Sequence, residues 1–172
     1  MSAFYSIWLI PSLPVFTYLR KIILKLALEN DAPVFLPHIT LIGGIRDRDK
    51  ALKGAAQVVE GINKFQVILK KIRYETIWSK ALYFEAERNE DLVGLFSKAS
   101  RIFLSKGNFQ PHLSLLYGTF PPVLKKRIIK ELGSSWPKSF VVKRIDVYRT
   151  GDKIEDAYKF KKIAEFKIKR SS

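Results

Sequence analysis

The sequence predicts an α+β fold in a single domain whose two halves are built alike. Apolar residues recur at helical spacing in four segments, and short β-rich runs lie between these segments. Near the end of the chain, Ala164, Phe166 and Ile168 alternate with charged residues, as is typical of a half-buried antiparallel strand. Each half also contains one histidine, directly after a proline. We therefore expect residues 1–172 to form one domain with two pseudo-symmetric lobes around a shared cleft.

The composition of the chain narrows the classes of protein to which it can belong. Its 172 residues include 31 Lys+Arg against 16 Asp+Glu, which gives a formal net charge of +15. A positive field of this size attracts polyanions such as nucleic acids, phosphorylated small molecules or an acidic membrane surface. Because the chain has no Cys, it has no thiol nucleophile, disulfide or Cys-ligated metal. A chain of this length can bury a sufficient core without such crosslinks.

The first half of the chain predicts the order strand, helix, strand, helix. The aromatic-rich run at residues 4–10 predicts a buried strand that Pro11 ends. After a proline-containing break, residues 38–42 are β-rich and are closed by a Gly-Gly pair. The two helices are predicted from apolar stripes at three- and four-residue spacing. These stripes consist of Phe16, Leu19, Ile22, Ile23 and Leu26, and of Leu52, Ala55, Ala56, Val59 and Ile62.

The middle of the chain predicts a hairpin followed by a third helix. Residues 65–76 and 81–87 have the composition of two strands joined by a short turn. Asn89 or Asp91 can cap the helix, and Gly107 is expected to stop it. The apolar stripe of this helix consists of Leu92, Leu95, Phe96, Ala99, Ile102 and Phe103.

The last part of the chain returns to the pattern of the first half. Residues 112–117 predict another strand, and a Pro-Pro pair then opens a fourth helix that Gly133 ends. Two further strands close the chain. The stripe of the fourth helix consists of Leu124, Ile128 and Leu132.

Both histidines of the chain occur in the same short phrase. The two copies are Pro37-His38-Ile39-Thr40-Leu41 and Pro111-His112-Leu113-Ser114-Leu115. In a strand, residues i and i+2 point to the same face, so each copy presents an imidazole beside a hydroxyl. If the two halves pack about a pseudo-two-fold axis, the four polar side chains converge on one cleft.

An imidazole pair of this kind suits in-line displacement at phosphorus. The attacking water needs a base on one side, and the leaving oxygen needs an acid on the other. Imidazole has an ordinary pKa near about 6.5, so one neutral and one protonated copy can serve these two roles near neutral pH. The hydroxyls of Thr40 and Ser114 can donate to the non-bridging phosphate oxygens.

Two other interpretations of the histidines are open. A single Pro-His strand is often structural, with the imidazole bonded to a backbone carbonyl, although the duplicated phrase is hard to explain by packing alone. A metal centre commonly uses imidazole ligands, but it needs three or four ligands. No third His, Cys or carboxylate lies at ligand spacing, so we expect no metal and no cofactor.

The two phrases resemble the signature of the two-histidine phosphoesterase superfamily, which has one His-x-Thr/Ser motif on a strand of each lobe of a bilobal α+β fold. Within that superfamily, residues 37–44 and 111–117 look most like the cyclic phosphodiesterase family. The early phrase Tyr5-Ser6-Ile7-Trp8-Leu9-Ile10-Pro11 is also similar to the family's first strand. The fold that this resemblance implies has two antiparallel-sheet lobes, outer helices and a cleft between the lobes.

The resemblance implies metal-independent hydrolysis of a five-membered cyclic phosphate. The implied substrates are ADP-ribose 1″,2″-cyclic phosphate, which gives the 1″-phosphate, and nucleoside 2′,3′-cyclic phosphates, which give the 2′-phosphates. His38 and His112 would be the acid/base pair, with His112 favoured as the base and His38 as the acid. Thr40 and Ser114 would bind the phosphate.

Two aromatic residues are further candidates for substrate binding. Tyr117 matches a family position that contacts substrate, but it is three residues beyond Ser114 and needs a bend at the strand end to reach the cleft. A tyrosine buried in the core is the alternative. Trp8 could stack on a nucleobase, although a tryptophan in a first strand more often serves packing.

Other functions compatible with the sequence involve RNA. The same fold could act on RNA ends or on 2′–5′ linkages, since the charge exceeds what a small nucleotide needs. A noncatalytic RNA-binding module would instead use basic runs such as Lys125-Lys126-Arg127 and residues 159–162, although most charge runs are merely solvated. We expect a monomer in the cytoplasm, with the nucleus as the alternative, whose partner is a phosphorylated nucleotide and which has no membrane partner.

Overall fold

A computed structural model of the protein describes residues 4–151 and 154–168, and within these ranges the chain forms four α-helices, two short 3₁₀ turns and seven strands. Every predicted strand and helix is present. The elements are β1 (Phe4–Pro11), α1 (Val15–Glu29), β2 (Ile39–Ile45), α2 (Arg48–Val59), β3 (Phe65–Arg73), β4 (Leu82–Ala86), α3 (Glu90–Phe103), β5 (His112–Leu116), α4 (Pro122–Leu132), β6 (Ser139–Thr150) and β7 (Lys161–Lys167).

The strands pair antiparallel in the order β1-β2-β5-β4-β3-β6-β7, and β1 also pairs with β6. The beginning of β6 pairs with β3, from Ser139 to Val142, and the rest of β6 pairs with β1 and β7. One half of the sheet is therefore β2-β1-β6-β7, and the other is β5-β4-β3-β6. A backbone pair between Ile39 and Leu113 joins β2 to β5 where the halves meet. The predicted α+β class with antiparallel-sheet lobes is confirmed.

The helices cover the apolar side of these strands. Helix α1 buries Leu19, Ile23 and Leu26, which belong to its predicted stripe. Helices α2 and α3 pack so closely that a Cβ at Gly54 would lie 2.2 Å from the Phe103 ring, so this contact requires glycine. No helix in the described part of the chain is long and apolar enough to cross a membrane.

The two ends of α3 compare differently with the cap and the stop that the sequence predicts. Asn89, and not Asp91, caps the helix by accepting a hydrogen bond from the Leu92 N–H at 3.0 Å. At the other end the predicted stop at Gly107 is wrong, because Leu104 already adopts a left-handed conformation with φ of 55°. Its N–H still bonds to the Ser100 carbonyl, so the helix ends within one turn of its last apolar residue.

Candidate active site

The two Pro-His phrases orient their imidazoles in the same way. The Nδ1 atom of His38 lies 2.6 Å from the Leu36 carbonyl oxygen, and Nδ1 of His112 lies 2.8 Å from the Gln110 carbonyl oxygen. Because a carbonyl can only accept, each Nδ1 carries the proton and donates it. Each proline therefore separates a histidine from the carbonyl that holds it, and Nε2 is left for chemistry.

The pairing of β2 with β5 brings the two phrases together. Ile39 is directly opposite Leu113, and the strands are antiparallel. Continuing this register by one residue on either side places His38 opposite Ser114 and Thr40 opposite His112. All four side chains share one face of the sheet, with each imidazole beside the other phrase's hydroxyl.

His38 is almost fully buried, with 6% of its surface exposed. Burial lowers the pKa of His38 to about 4, against the opposing effect of its hydrogen bond to Leu36, and the neighbouring His112 lowers it further. The imidazole also stacks on Trp8, with ring centroids 3.6 Å apart. His38 is consequently a rigid, neutral group at pH 7.

His112 has a more open and more charged environment. Its ring is only partly buried and meets the ring of Tyr83 edge-on, with centroids 5.5 Å apart. Burial lowers the pKa of His112, and the Lys80 ammonium does so too, while the Gln110 carbonyl and the Glu75 carboxylate act in the opposite direction. The two copies of one phrase thus differ in the burial and in the charges around the imidazole.

A cavity of about 320 Å³ opens beside His38. It includes Thr40 and Tyr117, and no Lys, Arg, Asp or Glu among the described residues lines it. Its lining residues are Phe4, Ser6, Trp8, His38, Thr40, Gly44, Tyr117, Thr150, Gly151 and Phe160. An uncharged cavity with four aromatic side chains suits a nucleobase or another flat, neutral group.

Trp8 lines this cavity, but its ring is not available to stack on a nucleobase. Its ring lies between His38 and Tyr148, whose centroid is 3.9 Å away, and the residue is 2% exposed. Since β1 lies between β2 and β6, these two rings cover opposite faces of the indole. Neither face is open to a nucleobase, so Trp8 supports His38 and presents only its edge to the cavity.

Tyr117 reaches the cavity because β5 ends just before it. The chain turns at Gly118, whose φ of 139° favours glycine, and the Tyr117 ring stacks on Phe35 at 3.7 Å. The residue is buried, and burial raises the pKa of its phenol. Tyr117 therefore belongs to both the core and the cavity wall, which combines the two interpretations of it.

The two hydroxyls of the phrases are not in equivalent states. Ser114 Oγ donates to the Ser79 carbonyl at 2.7 Å, so its proton must turn away from Ser79 before it can bind a phosphate. Thr40 has no hydrogen-bond partner among the described residues and lines the cavity.

A second cavity, of about 390 Å³, lies beside His112 and was missed by the sequence analysis. Its wall contains a polar network in which the Tyr83 hydroxyl donates to Glu75 at 2.6 Å and Lys80 donates to the Gln110 side chain at 3.1 Å. Tyr83 and Glu85 share a face of β4, but only the pairing of β4 with β5 places them beside His112. No sequence signal identified that pairing.

In the two basic runs Lys125 is buried, whereas the other Lys and Arg residues are exposed. Lys125 is 3% exposed, and its Nζ donates to the Glu75 carbonyl at 2.8 Å, so it is unable to contact RNA. Lys162 lies 3.1 Å from the buried Asp146 carboxylate. Among the residues that the structure describes, no group of three His, Cys, Asp or Glu side chains could hold a metal ion.

Two imidazoles with Nδ1 held by a carbonyl lie on neighbouring strands of one sheet face, an arrangement that suits acid/base chemistry at phosphorus. The chain belongs to the cyclic phosphodiesterase-like family, since the family model described as "Cyclic phosphodiesterase-like protein" matches residues 1–134. Membership of this family identifies the protein as a phosphoesterase.

Solved structures share the fold at low sequence identity. Escherichia coli LigT, crystallised with 3′-AMP, has a TM-score of 0.63 at 14% identity over 99% of this chain and 100% of its own. The protein TT0787 of Thermus thermophilus has a TM-score of 0.61 at 15% identity over 100% of both chains. A search of curated proteins finds no significant match.

Proposed function

We propose that the protein is a metal-independent cyclic nucleotide phosphodiesterase. Its proposed substrates are ADP-ribose 1″,2″-cyclic phosphate, opened to the 1″-phosphate, and nucleoside 2′,3′-cyclic phosphates, opened to the 2′-phosphates. The observation that carries this proposal is the β2–β5 register, which sets two imidazoles and two hydroxyls around one small area of sheet. Two imidazoles supply both proton transfers that ring opening requires.

The reaction consumes one water molecule. Water attacks phosphorus while one neutral imidazole takes a proton from it, and the bond from phosphorus to one ring oxygen breaks. That oxygen takes a proton from the other imidazole, which enters the reaction protonated, and becomes a free hydroxyl. Exchange of one proton with solvent then restores both imidazoles.

The burial difference supports a division of these roles. Burial lowers the pKa of His38 to about 4 and also lowers the pKa of His112, which is less buried and lies beside Glu75. We therefore assign proton acceptance from water to His38 and proton donation to His112, the reverse of the order that the resemblance implies. The free hydroxyl of Thr40 is the first donor to the phosphate, and Ser114 joins it by turning from Ser79.

The substrate class is supported by the cavity beside His38. Its aromatic, uncharged wall fits the base of a nucleoside 2′,3′-cyclic phosphate, which is on the same ribose as the reacting phosphate. The structural neighbour LigT has been crystallised with 3′-AMP and with ATP, both of which are nucleotides.

The test is to incubate the protein, with EDTA present, with ADP-ribose 1″,2″-cyclic phosphate and the four nucleoside 2′,3′-cyclic phosphates. Phosphorus NMR then identifies the products. His38→Ala and His112→Ala should each lose turnover, while Gln66→Ala, an exposed change on β3, should keep it. Loss of activity on chelation, or turnover that survives either histidine change, would overturn the proposal.

Action on RNA ends or 2′–5′ linkages is the second candidate, and the formal net charge of +15 favours it. An oligonucleotide would then compete strongly for the site, and the competition would weaken steeply with salt. A purely RNA-binding role would leave RNA affinity unchanged when both histidines are replaced.

A further inference from the structure

The cavities beside His38 and His112 flank the reacting groups on two sides and differ in chemistry. The His38 cavity has no charged lining residue among those described, whereas Arg73, Lys80, Arg88, Glu75 and Glu85 line the His112 cavity. A substrate that occupied both would place a neutral aromatic group on one side of the scissile phosphate. A charged group would lie on the other side.

The two carboxylates of the His112 cavity are already compensated. Arg73 Nε donates to Glu85 at 2.9 Å, and the Lys80 ammonium lies 3.6 Å from Glu75. Glu75 also accepts the hydrogen bond of the Tyr83 hydroxyl. Arg88 has no ion pair or hydrogen bond to another described residue. Apart from His112, the cavity consequently has an excess of one positive charge, and that charge is on a guanidinium whose donors are free to bind an anion.

Two of the candidate substrates carry a second anionic group at a fixed place. In ADP-ribose 1″,2″-cyclic phosphate, and in an oligonucleotide that ends in a 2′,3′-cyclic phosphate, the ribose with the cyclic phosphate also carries a phosphate on its 5-oxygen. That phosphate lies one ribose away from the reacting centre. His112 belongs to both the reacting pair and the wall of the charged cavity, so the two sites adjoin.

We propose that the cavity beside His112 binds the phosphate on the 5-oxygen of the ribose that carries the cyclic phosphate, with Arg88 as its main ligand. The preferred substrates are then nucleotides extended by that phosphate, and bare nucleoside cyclic phosphates are poorer. This inference rests on the proposed function. Arg73 and Lys80 contribute positive potential, and Glu85 opposes binding.

The test compares kcat/KM for adenosine 2′,3′-cyclic phosphate with and without a 5′-phosphate. One charge-assisted hydrogen bond predicts about a tenfold preference for the 5′-phosphorylated form. Arg88→Ala should bring that ratio close to one, and Glu85→Gln should increase it. Arg101→Ala, an exposed change on α3, should leave the ratio as it is. A ratio near one in the unaltered protein, or a ratio that Arg88→Ala does not change, would overturn the inference.

Two further substrates identify the source of the phosphate. A stronger preference for a dinucleotide ending in the cyclic phosphate points to an RNA end, and a stronger preference for ADP-ribose 1″,2″-cyclic phosphate points to a pyrophosphate. Both outcomes support the subsite.

Calorimetry of adenosine 5′-monophosphate and adenosine separates this inference from the proposed function. Without turnover of any substrate, tighter binding of the monophosphate that Arg88→Ala abolishes would overturn the proposed reaction and support the phosphate subsite. Equal binding of the two compounds would overturn the subsite.

Discussion

The two halves of the site repeat one local design in two different environments. Each histidine donates Nδ1–H to the carbonyl two residues before it and has a hydroxyl two residues after it. His38 is packed against Trp8 beside an uncharged cavity, whereas His112 meets Tyr83 beside charged groups. A duplicated motif therefore places two imidazoles in different surroundings, and the neighbouring strands set the difference.

The aromatic neighbours correspond in position between the halves. Trp8 on β1 is opposite Thr40, and Tyr83 on β4 is opposite Ser114. One strand further away, the residue opposite Trp8 is the buried Asp146, and the residue opposite Tyr83 is Arg73. The halves therefore share an aromatic support for each imidazole but have opposite charges behind it.

Removing either imidazole should have the largest effect on activity. His38→Ala and His112→Ala should each lower kcat/KM by roughly 10²–10⁴-fold, because each transfers a proton in the transition state. The double variant should be little worse than either single variant, since the two act as a unit. Steady-state kinetics measure this. Losses that multiply in the double variant would show that the imidazoles act independently.

Trp8→Ala should expose His38 and so make its surroundings more like those of His112. Truncating a buried tryptophan costs about 3–5 kcal/mol in the free energy of unfolding, which urea denaturation measures. Exposure of His38 should also raise its pKa towards the ordinary 6.5. NMR titration of the imidazole protons checks this shift. An unchanged pKa for His38 would mean that its burial does not depend on Trp8.

The burial of His38 should appear in the pH dependence of stability. In the unfolded chain His38 is protonated below its ordinary pKa of 6.5. In the folded chain it is protonated only below about pH 4. Stability that is present at pH 7 is therefore lost as the pH falls through this window, by about 3 kcal/mol from His38. Urea denaturation at pH 7 and pH 4 measures the loss. His38→Gln should reduce it, and an equal loss in that variant would contradict the assignment.

Tyr83→Phe should give the smallest effect, and it tests the polar side of the comparison. The change removes the hydrogen bond to Glu75 and should cost about 0.5–1.5 kcal/mol of stability. Tyr148→Phe, which keeps the ring that stacks on Trp8, is the matched control and should cost less. If urea denaturation gave equal losses for both variants, the Tyr83–Glu75 hydrogen bond would contribute nothing to the free energy of unfolding.

The repeated phrase could be predicted because its geometry is local. A strand period of two places His38 with Thr40 and His112 with Ser114, whatever else the fold does. What lies beside them depends on strand order, which no short segment specifies. The charged cavity was missed for that reason.

Lys125 was misread as part of a basic surface run, because neither charge nor helical spacing reveals which carbonyl is close. Its ammonium is held by the Glu75 carbonyl, 50 residues away in sequence. Similarly, glycine was expected to end α3, but Leu104 takes the left-handed conformation itself.

The sharing of β6 by both halves of the sheet also has a consequence for folding. Phe4 on β1 pairs with Thr150 on β6, so these two strands can pair only after most of the chain has been made. Closing so long a loop is entropically costly, and this topology predicts slower folding than in a helical protein of equal length. During synthesis, β1 and β3 emerge before β6, and each has only one of its two partner strands until β6 is made. The two half-sheets are thus completed together, at the last stage of assembly.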